Sequence, residues 1–173
     1  QSLKNKFFLK IKKKIKKLRI QDQKKMLKRI FNLSKTMNMS KYFLSELEIK
    51  ELNKDKLVTI GSHSEDHLSL KKFDRNTIYD QIKKSKSYLE DCFNVSIKHF
   101  SYPYGQNDDI NYYDHQILSD LGYVTSVTTL DYSFKKFNQY YLNRCSIGPY
   151  IDEDDFNRKL LGIDKTLRKI FFK

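Results

Sequence analysis

Apolar and polar positions change their period several times along this chain, and each change marks a predicted element. Ile11, Ile15 and Leu18 recur at helical spacing among lysines, with Phe7, Phe8 and Leu9 just ahead of them. Met26, Leu27, Ile30 and Phe31 predict a second helix over 23–33. Ser45 followed by Glu48 has the spacing of a capping box, which starts a short helix reaching about Leu52. Leu57-Val58-Thr59-Ile60 is a short β-branched run stopped by Gly61, and it reads as a buried strand. A loop holding His63 and His67 follows. Asp74 is placed to cap a helix over 75–93, where Ile78, Ile82, Ser85 and Leu89 form one stripe. Residues 97–102 read as a strand that ends at Pro103 and Gly105. A helix is predicted over 111–121 with Gly122 as its C-cap. Strands over 123–129 and 140–147 and a helix over 155–161 complete the pattern. Strands alternating with helices predict a parallel α/β architecture, and no internal repeat is visible.

Composition narrows this picture. A chain of 173 residues fits one domain, and 12 Phe with 12 Tyr are enough apolar mass for a core. The net charge of +13 is very uneven. Residues 1–30 hold 13 Lys or Arg against one acid, Asp22, whereas the rest holds 21 basic and 20 acidic groups. The basic segment is either a solvated helix face or a surface that attracts phosphate or anionic lipid, so membrane-surface contact by residues 1–30 stays open. Nucleic acid is not expected as a partner, because few aromatics interleave with the lysines. Cys92 and Cys145 form no CxxC pair, which leaves a thiolate zinc site unsupported. They read as two thiols of a reducing compartment, or else as a single disulfide. No apolar run approaches the ~18–20 residues of a membrane span, and no signal peptide is visible.

The sharpest chemical feature is Gly61-Ser62-His63-Ser64-Glu65-Asp66-His67. Two imidazoles four residues apart converge if one helical turn lies between them, and imidazole nitrogen suits zinc, copper, iron and nickel. Ser64 stands where zinc proteases carry the Glu of HExxH, so that chemistry is excluded. The second feature is Phe100-Ser101-Tyr102-Pro103-Tyr104-Gly105, just after a predicted strand. Ligands of parallel α/β folds bind beyond the carboxyl ends of strands. Pro103 fixes its own φ, extends Tyr102, and with Gly105 makes a rigid turn that can aim a backbone N–H at a developing oxyanion. Either feature alone is met by a bland reading, a chance histidine pair or an ordinary strand-ending turn.

Together and in order they resemble the NodB-like polysaccharide deacetylase family, carbohydrate esterase family four. The matching residues are Tyr42 to Glu48, then Ile60 to Ser69 with both histidines, then Ser85-Lys86 and Leu89-Glu90. Phe100 to Gly105, Gly122 to Thr129 and Arg144 follow at the family's spacing, so the likeness covers about residues 42–147. The resemblance implies an incomplete deformed (β/α) barrel preceded by a basic helical segment. Residues 1–41 would be an insertion within the same domain and 42–173 its C-terminal part. It also implies a divalent metal, usually zinc, held through His63 and His67 together with an aspartate. The Tyr104 backbone N–H would stabilise the oxyanion, and Ser101, Tyr102, Pro103 and Gly105 would line the substrate site. The implied substrate is an N-acetylated polysaccharide or surface glycan.

The chain departs from the family in three places. It has no TFDDG motif, the family's source of catalytic base and third metal ligand. Asp108-Asp109 and Asp154-Asp155 lie in the wrong order and read as loop or helix-cap acids. Ser101 stands where many members carry an Arg, and no His follows His115 to serve as catalytic acid. His115 is expected to be exposed on its helix, and His99 to be core or surface. The chain begins with Gln1 rather than Met, so the missing motif is expected upstream; a degenerate copy is the other account. Function is accordingly expected to be N-deacetylation by the full-length protein, with this segment alone weak or inactive. A non-catalytic glycan-binding module is the alternative.

Overall fold

The computed structural model describes residues 3–16, 18–33, 43–111, 113–130 and 138–163. Tyr42 and Tyr112 lie outside them. Among the described residues, six helices and two strands run in the order α1 Leu3–Ile15, α2 Ile20–Leu33, α3 Glu46–Leu52, α4 Arg75–Phe93, β1 His99–Ser101, α5 Asp114–Asp120, β2 Thr125–Val127 and α6 Glu153–Leu160. A 3₁₀ turn spans Leu70–Lys72.

Local capping chemistry explains where the helices begin. Ser45 accepts the Glu48 N–H while the Glu48 carboxylate takes the Ser45 N–H at 2.7 Å, so the predicted box starts α3. Asp74 accepts from the Thr77 N–H at 3.0 Å and its hydroxyl at 2.6 Å, and α4 runs to Phe93 before Asn94 turns left-handed. α6 starts two residues before its predicted position because Asp152 caps it, accepting from Asp155 N–H at 2.7 Å. Leu18 falls beyond α1 in a turn, where its carbonyl accepts from the buried Gln23 side chain at 2.9 Å.

β1 and β2 pair in parallel, Phe100 opposite Ser126. Single bridges extend the sheet on both sides, Ser62 to Phe100 and Leu142 to Val127, again parallel. The predicted strands 57–60 and 140–147 are not formed. Leu57 is 93% exposed, and the Val58 N–H turns back to the Asp55 carbonyl at 3.1 Å. A strand exists only where a neighbour meets its backbone groups; among the described residues the bridge nearest the first segment falls beyond it, at Ser62, and the second has a single bridge, at Leu142. Likewise α5 begins at Asp114 rather than 111, because the Asp114 side chain takes the Asn111 N–H.

The core lies between α4, α5 and the sheet. Ile78 and Ile82 of α4, Phe100 and Tyr102 of the β1 segment, and Ile117 and Leu118 of α5 are all at most 2% exposed. Each such side chain contributes about 1.5–3 kcal/mol of burial. Two pieces of the family-like pattern are structural clasps. Ser85 Oγ meets Ser62 Oγ at 2.7 Å, and Glu90 accepts the Ile97 N–H at 2.9 Å beside Lys86. Both cysteines are free thiols, and no helix among the described residues is long and apolar enough to cross a membrane.

One buried group makes stability depend on pH. Asp114 is fully buried; one oxygen accepts Asn111 N–H at 2.7 Å and the other has no partner among the described residues. Burial pushes its carboxyl up to about 7, against the pull of that hydrogen bond. The folded protein therefore keeps a proton that the unfolded chain releases near ~4. Stability from the protonated form is complete below that value and is lost as pH rises through about 7. Asp114→Asn is expected to be more stable than the parent by roughly 1–3 kcal/mol at alkaline pH and nearly equal to it in mild acid. Urea midpoints on both sides of neutrality measure this, and an unchanged difference would refute it.

Candidate functional site

The histidine loop is aimed by its first residue. Ser62 donates its N–H to His99 O at 2.9 Å and accepts Ser101 N–H at 2.9 Å, so the chain leaves the sheet beside the end of β1. His63 then places Nδ1 2.6 Å from the Ser101 carbonyl. A carbonyl only accepts, so Nδ1 is the donor here, and the neutral tautomer that keeps this bond is the one that offers Nε2 to a metal.

The two histidines do meet, with ring centroids 4.7 Å apart and edge to face. The expected helical turn between them is absent. Instead Ser64 and His67 take left-handed backbone conformations, φ 63° and 52°. Such residues cost of order 1–3 kcal/mol and persist where the surroundings hold them. The holder is Gln81 of α4, whose side chain donates to Asp66 Oδ2 and accepts Asp66 N–H, both at 2.9 Å. Its carbonyl also accepts the Glu65 N–H at 3.2 Å. Lys24 of α2 adds an ion pair to Asp66 at 2.9 Å. Partial desolvation, then the neighbouring His63 ring, hold the His67 imidazole below its usual pKa range, in the neutral ligand form.

The proline turn packs against this pair. The Tyr104 ring lies 4.7 Å from the His67 ring. Tyr104 is the third left-handed residue of the site, φ 61°, inside a three-residue turn closed by Gly105 N–H to Pro103 O at 2.7 Å. Its own N–H has no partner among the described residues. Thr129 fastens the turn, giving its hydroxyl to Tyr104 O at 2.5 Å and its N–H to Gly105 O at 3.0 Å. Ser101 is half-buried and spends its carbonyl on His63. Tyr102, Pro103 and Gly105 are buried; Tyr102 stacks on Tyr141 at 5.9 Å.

His63, His67, Ser101, Tyr102 and Tyr104 line one open pocket of about 620 Å³, with Thr129, Lys12 and Arg144 completing it. Among the described residues no group of three or more His, Cys, Asp or Glu is placed to hold a metal ion. The donor set at the pocket is two imidazoles, which fit as two of the three protein ligands of a catalytic zinc.

Asp109 is a loop acid, as its sequence context suggests, and it is fully buried, accepting Ser69 Oγ at 2.5 Å and Gln106 N–H at 3.3 Å and pairing with Lys16. Lys16 in turn lies 4.4 Å from the centre of the Tyr104 ring. His115 is half-buried against Tyr141 rather than exposed, and His99 is at the surface, with Nδ1 2.8 Å from Thr125 Oγ1. Gln81, Asp109 and the lysine pair carried no signal beyond ordinary residue types. Lys12 and Lys16 share a helix face, but so do other lysines of that run.

A family model described as polysaccharide deacetylase matches residues 14–126. Among curated proteins nothing matches the chain. Solved structures do. The deacetylase PplD of Streptococcus pyogenes, in complex with acetate, aligns at 24% identity and a TM-score of 0.60 over 67% of this chain and 50% of its own. A polysaccharide deacetylase from Bacillus cereus aligns at 20% identity and a TM-score of 0.58 over 68% of this chain and 36% of its own. These likenesses show a common fold, and the chain spans half or less of either protein.

Proposed function

The chain belongs to the polysaccharide deacetylase family, and from that premise we propose that it serves the metal-dependent removal of N-acetyl groups from the sugars of a polysaccharide or surface glycan. The reading that goes with it is an incomplete deformed (β/α) barrel, with residues 1–41 as a basic helical insertion in the same domain. One observation carries the proposal: His63, His67 and the Tyr104 turn converge on one pocket at the carboxyl end of β1.

His63 and His67 would hold the metal, zinc being one that suits imidazole nitrogen and the metal usual to the family. When bound, such an ion polarises the amide carbonyl and supplies a hydroxide near neutral pH. The remaining work falls to this chain. The Ser101 carbonyl holds the His63 tautomer, the Tyr104 N–H offers a donor to the amide oxygen as it gains charge, and Ser101 and the buried turn shape the acetamido pocket. Acetate, the molecule held by the Streptococcus pyogenes deacetylase, would be the leaving product.

A second reading has one observation in its favour. Among the described residues no carboxylate lines the pocket, as expected of a module that binds glycan without hydrolysing it. Two measurements separate the readings. Zinc titration of this chain is expected to show weak one-to-one binding that falls at least tenfold in His63→Ala and in His67→Ala. Acetate release from an N-acetylated oligosaccharide is expected to be low for this chain and high for an N-terminally extended form. Zinc binding indifferent to both histidines would overturn the metal assignment, and glycan binding without acetate release in the extended form would establish the second reading.

A further inference from the structure

The pocket's charge says more about its ligand than its histidines do. Two cations line it, Lys12 from α1 and Arg144 from the segment after β2. Arg144 spends Nε on the Thr128 carbonyl at 2.7 Å, which fixes the guanidinium at the rim, and its terminal nitrogens have no hydrogen-bond partner among the described residues. Lys12 is solvent-exposed and 5.7 Å from the centre of the Tyr104 ring. One helical turn on, Lys16 is consumed by buried Asp109. That pair anchors α1 against the turn, so Lys12 is presented to the pocket while Lys16 supplies no free charge.

α1 itself carries no acid, so no side chain of its own answers Lys12. A neutral sugar would leave both cations solvated and unused; a ligand with a negative group beside its acetamido would meet them directly. We infer that this pocket takes an N-acetylated glycan bearing an anionic substituent, a carboxylate or a phosphate, within reach of Lys12 and Arg144. The inference rests on the deacetylase reading of the same pocket.

The test compares probes of matched size on the whole chain. Hyaluronan tetrasaccharide alternates N-acetylated and carboxylate sugars, and chitotetraose is its neutral counterpart. N-acetylglucosamine 6-phosphate against N-acetylglucosamine gives the phosphate arm. The charged member of at least one pair is expected to bind about tenfold tighter at low salt, with the gap closing near ~0.5 M salt; which pair shows it identifies the anion. Lys12→Glu is expected to abolish the preference. Lys10→Glu removes the same charge from an exposed position of α1 that does not line the pocket, and it is expected to keep most of the preference. Equal binding of charged and neutral probes would overturn the inference alone and leave the deacetylase reading standing. Equal loss in Lys10→Glu and Lys12→Glu would reduce the effect to the diffuse charge of α1 and overturn it too. Binding of none of the four probes would sink both readings.

Discussion

Gly105→Ala is expected to lower stability by about 2–4 kcal/mol, which is among the largest effects a single methyl group would have in this chain. Two costs add. Gly105 sits at φ 66°, where a side chain costs about 1–2 kcal/mol. A Cβ there would also stand 2.6 Å from the Thr129 nitrogen and 3.1 Å from its side chain. Thr129 cannot yield freely, because it holds the turn through Gly105 O and Tyr104 O. Gly122 provides the control: its φ is 75°, yet an added Cβ would meet nothing within 4 Å. Gly122→Ala should therefore cost only the conformational part, about 1–2 kcal/mol. Urea unfolding of the two variants measures the difference, and equal midpoints would show that the Thr129 contact is not rigid. Because the turn carries Tyr104, Gly105→Ala is also expected to weaken glycan binding out of proportion to its residual fold.

Asp109→Ala should destabilise by about 2–4 kcal/mol. The carboxylate is completely buried and joins three stretches of chain: Lys16 at the end of α1, Ser69 before the 3₁₀ turn, and Gln106 beyond the proline turn. Removing one partner of a buried pair usually costs about 3–5 kcal/mol, because the other charge is stranded. The Lys16 side chain is 20% exposed and swings partly into water, which trims the estimate. A second readout distinguishes this loop-joining role from simple loss of packing. Burial first, and the Asp109 charge second, push the Tyr104 phenol above its ordinary pKa. In Asp109→Ala that pKa should fall, as followed by the phenolate absorbance, and α1 should loosen so that its amides exchange faster with solvent. A Tyr104 titration unchanged in the variant would mean that Asp109 acts on the fold but not on the turn.

These two residues mark the division between what the chain announces and what it hides. Helix starts were legible because a cap is completed within three residues: Ser45 with Glu48, and Asp74 with Thr77. The apolar stripe of α4 was legible for a related reason, since 3.6 residues per turn sorts Ile78 and Ile82 onto one face without reference to anything else. The His63, His67 and Tyr104 constellation was also readable, from ordered motifs, but not the backbone that brings the rings together. The rings are joined by left-handed backbone rather than a helical turn, because Gln81 holds that loop from 15 residues away.

Short-range sequence thus determined the helices, their caps, the order of the motifs and the family. Tertiary structure decided that 57–60 and 140–147 are not strands, because a ladder needs a neighbour that local composition cannot specify. It decided too that Asp109 is a buried joint and that Lys12, one lysine of a lysine-rich helix, lines the pocket. An aspartate or a lysine has the same covalent chemistry wherever it stands. Its role comes from the partners and the solvent around it, and those are fixed only when distant segments pack.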